Sequence, residues 1–324
     1  MAGSCPAFAR GTALSHGYDC RVGRISVVVV AYDRPAYLQE ALDCIARQTL
    51  PPSEVIVVDD ASPEPLEGQV RTGDVPVRFV RLSTNSGPAV AAATGIESTK
   101  GDFVALLNDD DLWADRFLEM LSGALHAAPS AGVAFADHGV VHADGTVDDE
   151  EAHRLSHAYG RTELDAGEFA SAEDFARAAL IQQAVPAQSF SMYRREALRP
   201  RTIRAGGDIW DYFVALGVTL GGWSGVYVPD RLGWYRVDPH GITSTWGHPK
   251  PRVRAASRRL AADRLAMRSP HLRSIRKELR RRHIRWLVHG LSAVSRDPRL
   301  LAFWVRETLR ALLRPGSPVP RGRK

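Results

Sequence analysis

Two acidic runs stand directly behind apolar stretches. Asp59-Asp60 follows EVIVV (54–58), and Asn108-Asp109-Asp110-Asp111 follows FVALL (103–107). Residues two apart on an extended chain point the same way, so Asn108 and Asp110 are expected to face one side together. Oxygen ligands grouped like that suit a hard divalent cation, Mg²⁺ or Mn²⁺, that keeps several waters and shares a diphosphate. Such a cation neutralises charge developing on a phosphate leaving group. An Asp just after a strand often only caps the next helix, and Asp111 before Leu112-Trp113 suits that role. One cap needs one side chain, however, and four polar residues in a row exceed that need. His153 and His157 are spaced i, i+4, but with no cysteine or third ligand near them they read as a solvated loop pair rather than a zinc site.

These runs need a scaffold that places them together. RISVVVVA (24–31) is an unbroken β-branched run, the pattern of a strand buried on both faces. Pro35 follows where a helix can start, with Tyr37, Leu38, Ala41, Leu42 and Ile45 at helical spacing. Further strands are expected at 54–58, 77–82 and 103–107, with helices at 87–97 and 113–126. Strands alternating with helices of this length imply βαβ units and a mostly parallel sheet. In such sheets ligands bind beyond the C-terminal strand ends, where both acidic runs fall. The polar, acidic stretch 143–168 reads as a long loop or insertion, 183–193 as a strand beside a cleft, 208–220 as a helix, and 226–237 as the last strands. No G-x-x-x-x-G-K-[ST] loop is present, and no G-x-G-x-x-G follows the first strand, which argues against a P-loop ATPase and a Rossmann dehydrogenase.

The net charge of +5 conceals a division. From Lys250 to Lys324 lie 22 of the 42 Lys+Arg and 4 of the 37 Asp+Glu, so that stretch carries about +18 and residues 1–249 about −13. The basic charge sits away from the acidic runs, which argues against a nucleic-acid partner. Three cysteines without CxxC spacing suit free thiols in a reducing compartment. No signal peptide and no apolar run long enough for a membrane span is read, so the expected location is cytoplasmic.

The run RISVVVVAYDRPAYLQEALDCIARQTLPPSEVIVVDDASPE resembles the opening of the family 2 inverting glycosyltransferases, and the likeness continues through RLSTNSGPAVAAATGIESTKGDFVALLNDDDLW and in patches to Trp246. The resemblance implies a GT-A fold: an α/β architecture with a mostly parallel sheet flanked by helices. It implies a nucleotide-sugar donor, UDP- or dTDP-linked first, bound by Ala31, Tyr32, Arg34, Asn85 and by Asp59 or Asp60 against the base. The family's DXD motif falls on Asn108-Asp109-Asp110, with Asn in place of the first Asp, so the cation would rest mainly on Asp110. The general base would come from GGDIWD (206–211): a gapless match puts Ile209 at the expected position, a one-residue shift makes Asp208 the base, and Asp211 is the fallback. Arg236 in Trp234-Tyr235-Arg236 and the hydroxyls of Ile242-Thr243-Ser244 would approach the diphosphate, with His240 as a further phosphate or metal candidate. The acceptor, a small molecule, saccharide or lipid-linked saccharide, would approach over Gln182–Arg194.

The expected organisation is an N-terminal arm (1–23), a catalytic domain (24–249, with donor half 24–130 and acceptor half 131–249) and a basic helical extension (250–324) with a disordered end. Within the extension, Leu272, Ile275, Leu279 and Trp286 share one helix face, and Leu301, Trp304, Val305, Leu309 and Leu312 another. Two uses are open: packing on the acidic catalytic body, or peripheral contact with the inner face of an anionic membrane. Two other functions are weighed. A sugar-phosphate nucleotidyltransferase would need a Gly-rich phosphate loop that AYDRPAYL lacks. A non-catalytic protein that keeps the fold to bind a nucleotide sugar or a partner stays open through Asn108 and the unsettled base.

Overall fold

The computed structural model describes residues 23–186, 188–238, 249–294 and 298–313. Among these residues nine strands form one mixed sheet: β1 (Ile25–Ala31), β2 (Glu54–Asp59), β3 (Val77–Arg81), β4 (Phe103–Asn108), β5 (Leu112–Trp113), β6 (Ala131–His142), β7 (Gly167–Glu168), β8 (Ser191–Arg194) and β9 (Ser224–Val237). Their order is β3-β2-β1-β4-β8-β6-β9-β5, with β7 paired to β9. The first four strands are parallel, β8 runs antiparallel between β4 and β6, and β6 and β9 pair in parallel. This is the α/β layout that the alternating pattern implies.

Period-two packing explains the unbroken valines of β1. Val27 and Val29 point into a core with α1 (Pro35–Ala46) and α3 (Phe117–Ala127), while Val28 and Val30 point into a second core on the opposite face. That second core holds α2 (Pro88–Glu97), α6 (Pro200–Gly206) and α7 (Trp210–Leu220). Gly95 lets α2 sit directly on the sheet, since a Cβ there would lie 2.3 Å from Val28 Cγ1. Pro35 and Pro88 occupy the first turns of α1 and α2, where a missing N–H costs nothing.

Several expectations are corrected. The stretch 143–168 is not one long loop: it contains α4 (Asp149–Ala158), N-capped by Asp148, whose side chain accepts from Glu151 N at 2.9 Å. Only Ala152 and Ser156 of this helix are buried, so it carries no apolar stripe for sequence periodicity to show. The strand expected at 183–193 shrinks to Ser191–Arg194, behind a π-helical turn (Arg177–Gln182) that continues α5 (Ala172–Ala176) and a 3-10 turn (Gln188–Phe190). Pro186 lacks the N–H that a ladder needs. Residues 226–237 belong to one long strand rather than several.

Among the described residues after β9, three helices follow: α8 (Pro249–Arg268), α9 (Arg276–Val294) and α10 (Pro298–Leu313). Ala262, Ala266, Leu272, Ile275 and Leu279 pack against Ile209, Phe213 and Leu216 around α7. Trp304 packs with Val253 and Leu260. The first apolar face of this basic region is therefore a packing stripe.

Candidate functional site

The parallel registers set Ala31 beside Asp59 and Val30 beside Asn108, so the two acidic runs flank the end of β1. Backbone strain gathers at the same edge. Asp33 and Ala61, just past β1 and β2, have φ of 54° and 59°, a region non-glycine residues adopt at a cost.

Arg34 is the hub. Its Nη1 donates to Asp110 Oδ2 at 2.5 Å and its Nη2 donates to Asp109 Oδ1. Asp109 is buried and also accepts from Tyr32 N at 3.1 Å. Burial pushes its carboxyl up to about 7, with Arg34 pulling down and Asp110 pushing up. Asp110 is the solvent-facing member of the run, its side chain 19% exposed against 1% for Asp109. One open carboxylate backed by a second is the oxygen set of a Mg²⁺ or Mn²⁺ that takes its remaining ligands from a diphosphate and water, so these residues fit such an ion. Among the described residues no group of three or more His, Cys, Asp and Glu is arranged to hold a metal alone.

Asn108 and Asp110 do not act as a pair, because the strand ends at Asn108 and the chain turns. The Asn108 amide donates to Asp111 Oδ2 at 3.2 Å, and its oxygen accepts from Gln188 Nε2 at 3.1 Å. Nor is Asp111 a helix cap: α3 begins at Phe117 behind Arg116. Fully buried, Asp111 accepts from the backbone N–H of Arg236 at 3.1 Å, and burial raises it to about 7. Arg236 itself is buried, with Nε donating to the Asp110 carbonyl at 2.8 Å and Nη2 to Glu40 at 2.5 Å. Its guanidinium lies 4.6 Å over the Tyr37 ring. The structure thus brings Arg34, Asp109, Asp110 and Arg236 together across a gap of some two hundred residues in sequence. His240 and residues 242–244 lie outside the described residues.

Asp59 and Asp60 are both buried and both hold backbone. Asp59 accepts from Ser62 N at 2.8 Å, Leu66 N at 3.3 Å and Arg81 Nη1 at 2.8 Å. Asp60 accepts from Ser86 N and Gly87 N, each at 2.7 Å, which fixes the loop containing Asn85 ahead of α2. Gly87 enters that helix at φ 90°, a conformation that favours glycine. Each carboxylate oxygen has two acceptor sites, so these bonds leave capacity for a ligand N–H.

On the acceptor side, Asp208 is half-buried in a 3-10 turn and does not cap α7, whose N-cap is Ile209. Asp211, in the first turn of α7, is exposed at its surface, yet burial is the first cause of its raised carboxyl pKa. Arg259 of α8 counters that rise, and the buried Tyr193 of β8 feels the Asp211 charge. Arg259 Nη2 donates to Gln183 Oε1 at 2.6 Å, and its guanidinium stacks 4.6 Å over Tyr212. Arg258 beside it donates to the Ala205 carbonyl at 2.8 Å and feels the Asp208 charge. The 188–193 segment links the halves, with Ser189 Oγ accepting from Asn108 N at 3.1 Å. Glu40, Ser189 and Arg259 were not legible as site residues. Glu40 lies one helical turn from Tyr37, a spacing that becomes meaningful only once Arg236 is seen to join them.

Comparison with known proteins adds an independent line. The sequence profile of glycosyl transferase family 2 matches residues 26–201, more than half of the chain. An uncharacterized glycosyltransferase, YwdF, of Bacillus subtilis is 33% identical over 105 residues, 32% of this chain and 39% of that protein. The GalNAc(5)-diNAcBac-PP-undecaprenol beta-1,3-glucosyltransferase of Campylobacter jejuni is 26% identical over 218 residues, 66% of this chain and 65% of that one. The matched region thus spans less than two thirds of these relatives' own length. Among solved structures, S. aureus TarS 1–349 in complex with UDP-GlcNAc shares the fold at TM-score 0.65 and 16% identity, covering 89% of this chain and 81% of that one. A mannosyltransferase of Pyrobaculum calidifontis, in complex with GDP-Man and Mn²⁺, gives TM-score 0.55 at 19% identity, covering 92% and 83%.

Proposed function

Because the chain belongs to glycosyl transferase family 2, we propose that it is an inverting enzyme that moves a sugar from a nucleotide diphosphate sugar to an acceptor hydroxyl. A UDP- or dTDP-sugar is the preferred donor: an acidic acceptor at Asp59 or Asp60 suits the N3–H of uracil or thymine. The observation that carries the reading is the meeting of Arg34, Asp109, Asp110 and Arg236 at the C-terminal edge of β1 and β4. Two guanidinium groups and an open carboxylate at one point are what a diphosphate and its cation require.

When bound on Asp110, Mg²⁺ or Mn²⁺ would supply charge neutralisation for the departing diphosphate. The chain's own residues do the rest. Arg34 and Arg236 orient the phosphate oxygens through fixed N–H forks. Asp211 accepts the proton of the acceptor hydroxyl as its oxygen attacks the anomeric carbon, on the face opposite the breaking bond. Its raised pKa and its exposure at the surface favour it over Asp208, the other candidate. A lipid-linked saccharide is the acceptor class supported by the name of the Campylobacter relative. Action at the cytoplasmic face of a membrane suits that class, with 24–249 as the catalytic unit and 250–324 as its extension.

The test is release of nucleoside diphosphate from a panel of UDP-, dTDP- and GDP-sugars, with Mn²⁺ or EDTA, for the wild type, Asp211→Asn and Asp208→Asn. A cation-dependent release that falls about a hundredfold or more in Asp211→Asn alone supports the assignment. Donor binding without release under any condition favours the non-catalytic binder.

A further inference from the structure

The apolar residues of the basic C-terminal region divide into two sets. One is consumed by packing on α7 and α8, as described. The other is open. Ile284 and Val288 on α9 are each 60% exposed, and Leu301, Val305 and Leu309 on α10 are 37%, 43% and 50% exposed. These are five of the eight exposed large hydrophobics among the described residues, so the exposure is concentrated rather than scattered. On each helix these residues recur four apart, which lines them up along one side of it. Exposed cations border them: Lys277, Arg280, Arg281 and Arg285 on α9, and Arg299 and Arg306 on α10.

We propose that this face docks on an anionic lipid bilayer, with the five aliphatic side chains entering the boundary between headgroups and acyl chains. The charge distribution selects the occupant. Residues 250–324 carry about +18, so joining this face to the same face of a second copy would bring two strongly cationic surfaces together. A nucleic acid answers the charge but offers an aliphatic stripe nothing to enter. An anionic bilayer answers both, because helices with Lys and Arg beside a narrow apolar edge lie in the interface plane. Among the described residues no helix is long and apolar enough to cross a membrane, so the contact is peripheral. The inference needs neither donor nor acceptor and stands apart from the proposed reaction.

The experiment is vesicle flotation of the full chain. Truncation at 249 is unsuitable, because removing α8 and α9 uncovers the core around Phe213 and Leu216. Vesicles of phosphatidylcholine alone are compared with vesicles holding about 30% phosphatidylglycerol, at about 0.1 M and 0.5 M NaCl. The wild type is expected to float with the anionic vesicles about tenfold or more better than with neutral ones, and less well in high salt. Val305→Gln/Leu309→Gln and, separately, Ile284→Gln/Val288→Gln should each lower binding about tenfold with Tm unchanged, since all four positions face solvent. Two independent pairs keep the test decisive if one variant folds poorly. Absence of flotation with anionic vesicles overturns the proposal, as does equal binding to neutral ones. So does a dimer in light scattering that the same substitutions dissolve, or duplex DNA binding that they leave intact.

Discussion

Arg34 occupies the carboxylate on which the proposed cation must rest, and this competition can be measured. Its Nη1 lies 2.5 Å from Asp110 Oδ2, with the two side chains 31% and 19% exposed. Two unit charges with centres about 4 Å apart interact by roughly 4 kcal/mol at the effective dielectric of a protein surface. Partial exposure and screening reduce that to about 1–2 kcal/mol. A cation that binds Asp110 before any nucleotide arrives must displace or repel this guanidinium. Arg34→Gln should therefore tighten nucleotide-free Mn²⁺ binding by about five- to thirtyfold. The same variant should weaken binding of UDP with Mn²⁺, because one donor to the diphosphate is gone. Calorimetric titration of Mn²⁺ into the wild type and Arg34→Gln, with and without UDP, reads both effects. Unchanged or weaker Mn²⁺ binding in the nucleotide-free variant would refute the reasoning, since Asp110 would then not be the site of competition.

Three further outcomes follow from the geometry. Asp211 has a raised carboxyl pKa opposed by Arg259, so proton acceptance should fail as pH falls through a value above the ordinary carboxylate range. Arg259→Met should move that acidic limb further up and Arg259→Lys largely restore it; the pH profile of nucleotide release checks this, and identical profiles count against Asp211. His138 is buried flat against Phe190, ring centroids 4.5 Å apart, and burial, reinforced by Arg161, pushes its pKa down to about 3. Between pH 6.5 and 3 the unfolded chain takes up a proton that the native imidazole refuses, so stability is lost on acidification, by up to roughly 5 kcal/mol. Urea melts of His138→Gln should show a flatter dependence across that window, and parallel curves would remove His138 as the cause. At Gly95 an added methyl meets Val28 Cγ1 at 2.3 Å and Val58 Cγ2 at 3.0 Å, both on central strands that cannot yield easily. Gly95→Ala should therefore cost about 1–2 kcal/mol despite alanine's better helix propensity, and a rise in Tm would show that α2 can shift.

The strand–helix alternation of the first half was legible because β1, β2 and β4 are buried on both faces and read as continuous apolar runs. Beyond Ala127 the signal fades for identifiable reasons. β6 carries Asp137 and His138 in its middle, at irregularities in its pairing with β9, and these polar residues break the run. α4 exposes most of its surface and therefore shows no stripe. At the site, residue types marked the acidic runs, but spacing could not tell Asp110, open to solvent, from Asp109 and Asp111, buried as supports. That distinction arises from partners contributed by distant segments: Arg34 from the end of β1, Arg236 from β9. In the C-terminal region, periodicity found the stripe of Leu272, Ile275 and Leu279, but it grouped the buried Trp304 with the exposed Leu301, Val305 and Leu309 and did not single out Ile284 and Val288. Burial of Leu272, Ile275 and Leu279 beside exposure of Val305 and Leu309 resolves this, because only the folded chain supplies the surface that does the covering.

The central claim is that a nucleotide diphosphate sugar binds at the edge formed by β1, β2 and β4. Its most direct test is thermal stabilisation by UDP, dTDP, GDP and CMP, each with Mn²⁺, Mg²⁺ or EDTA, in the wild type and Asp110→Ala. The account predicts that one diphosphate, UDP or dTDP first, raises Tm only with the cation and that Asp110→Ala abolishes the rise. Stabilisation by none of them, or a rise that survives in Asp110→Ala, would contradict it.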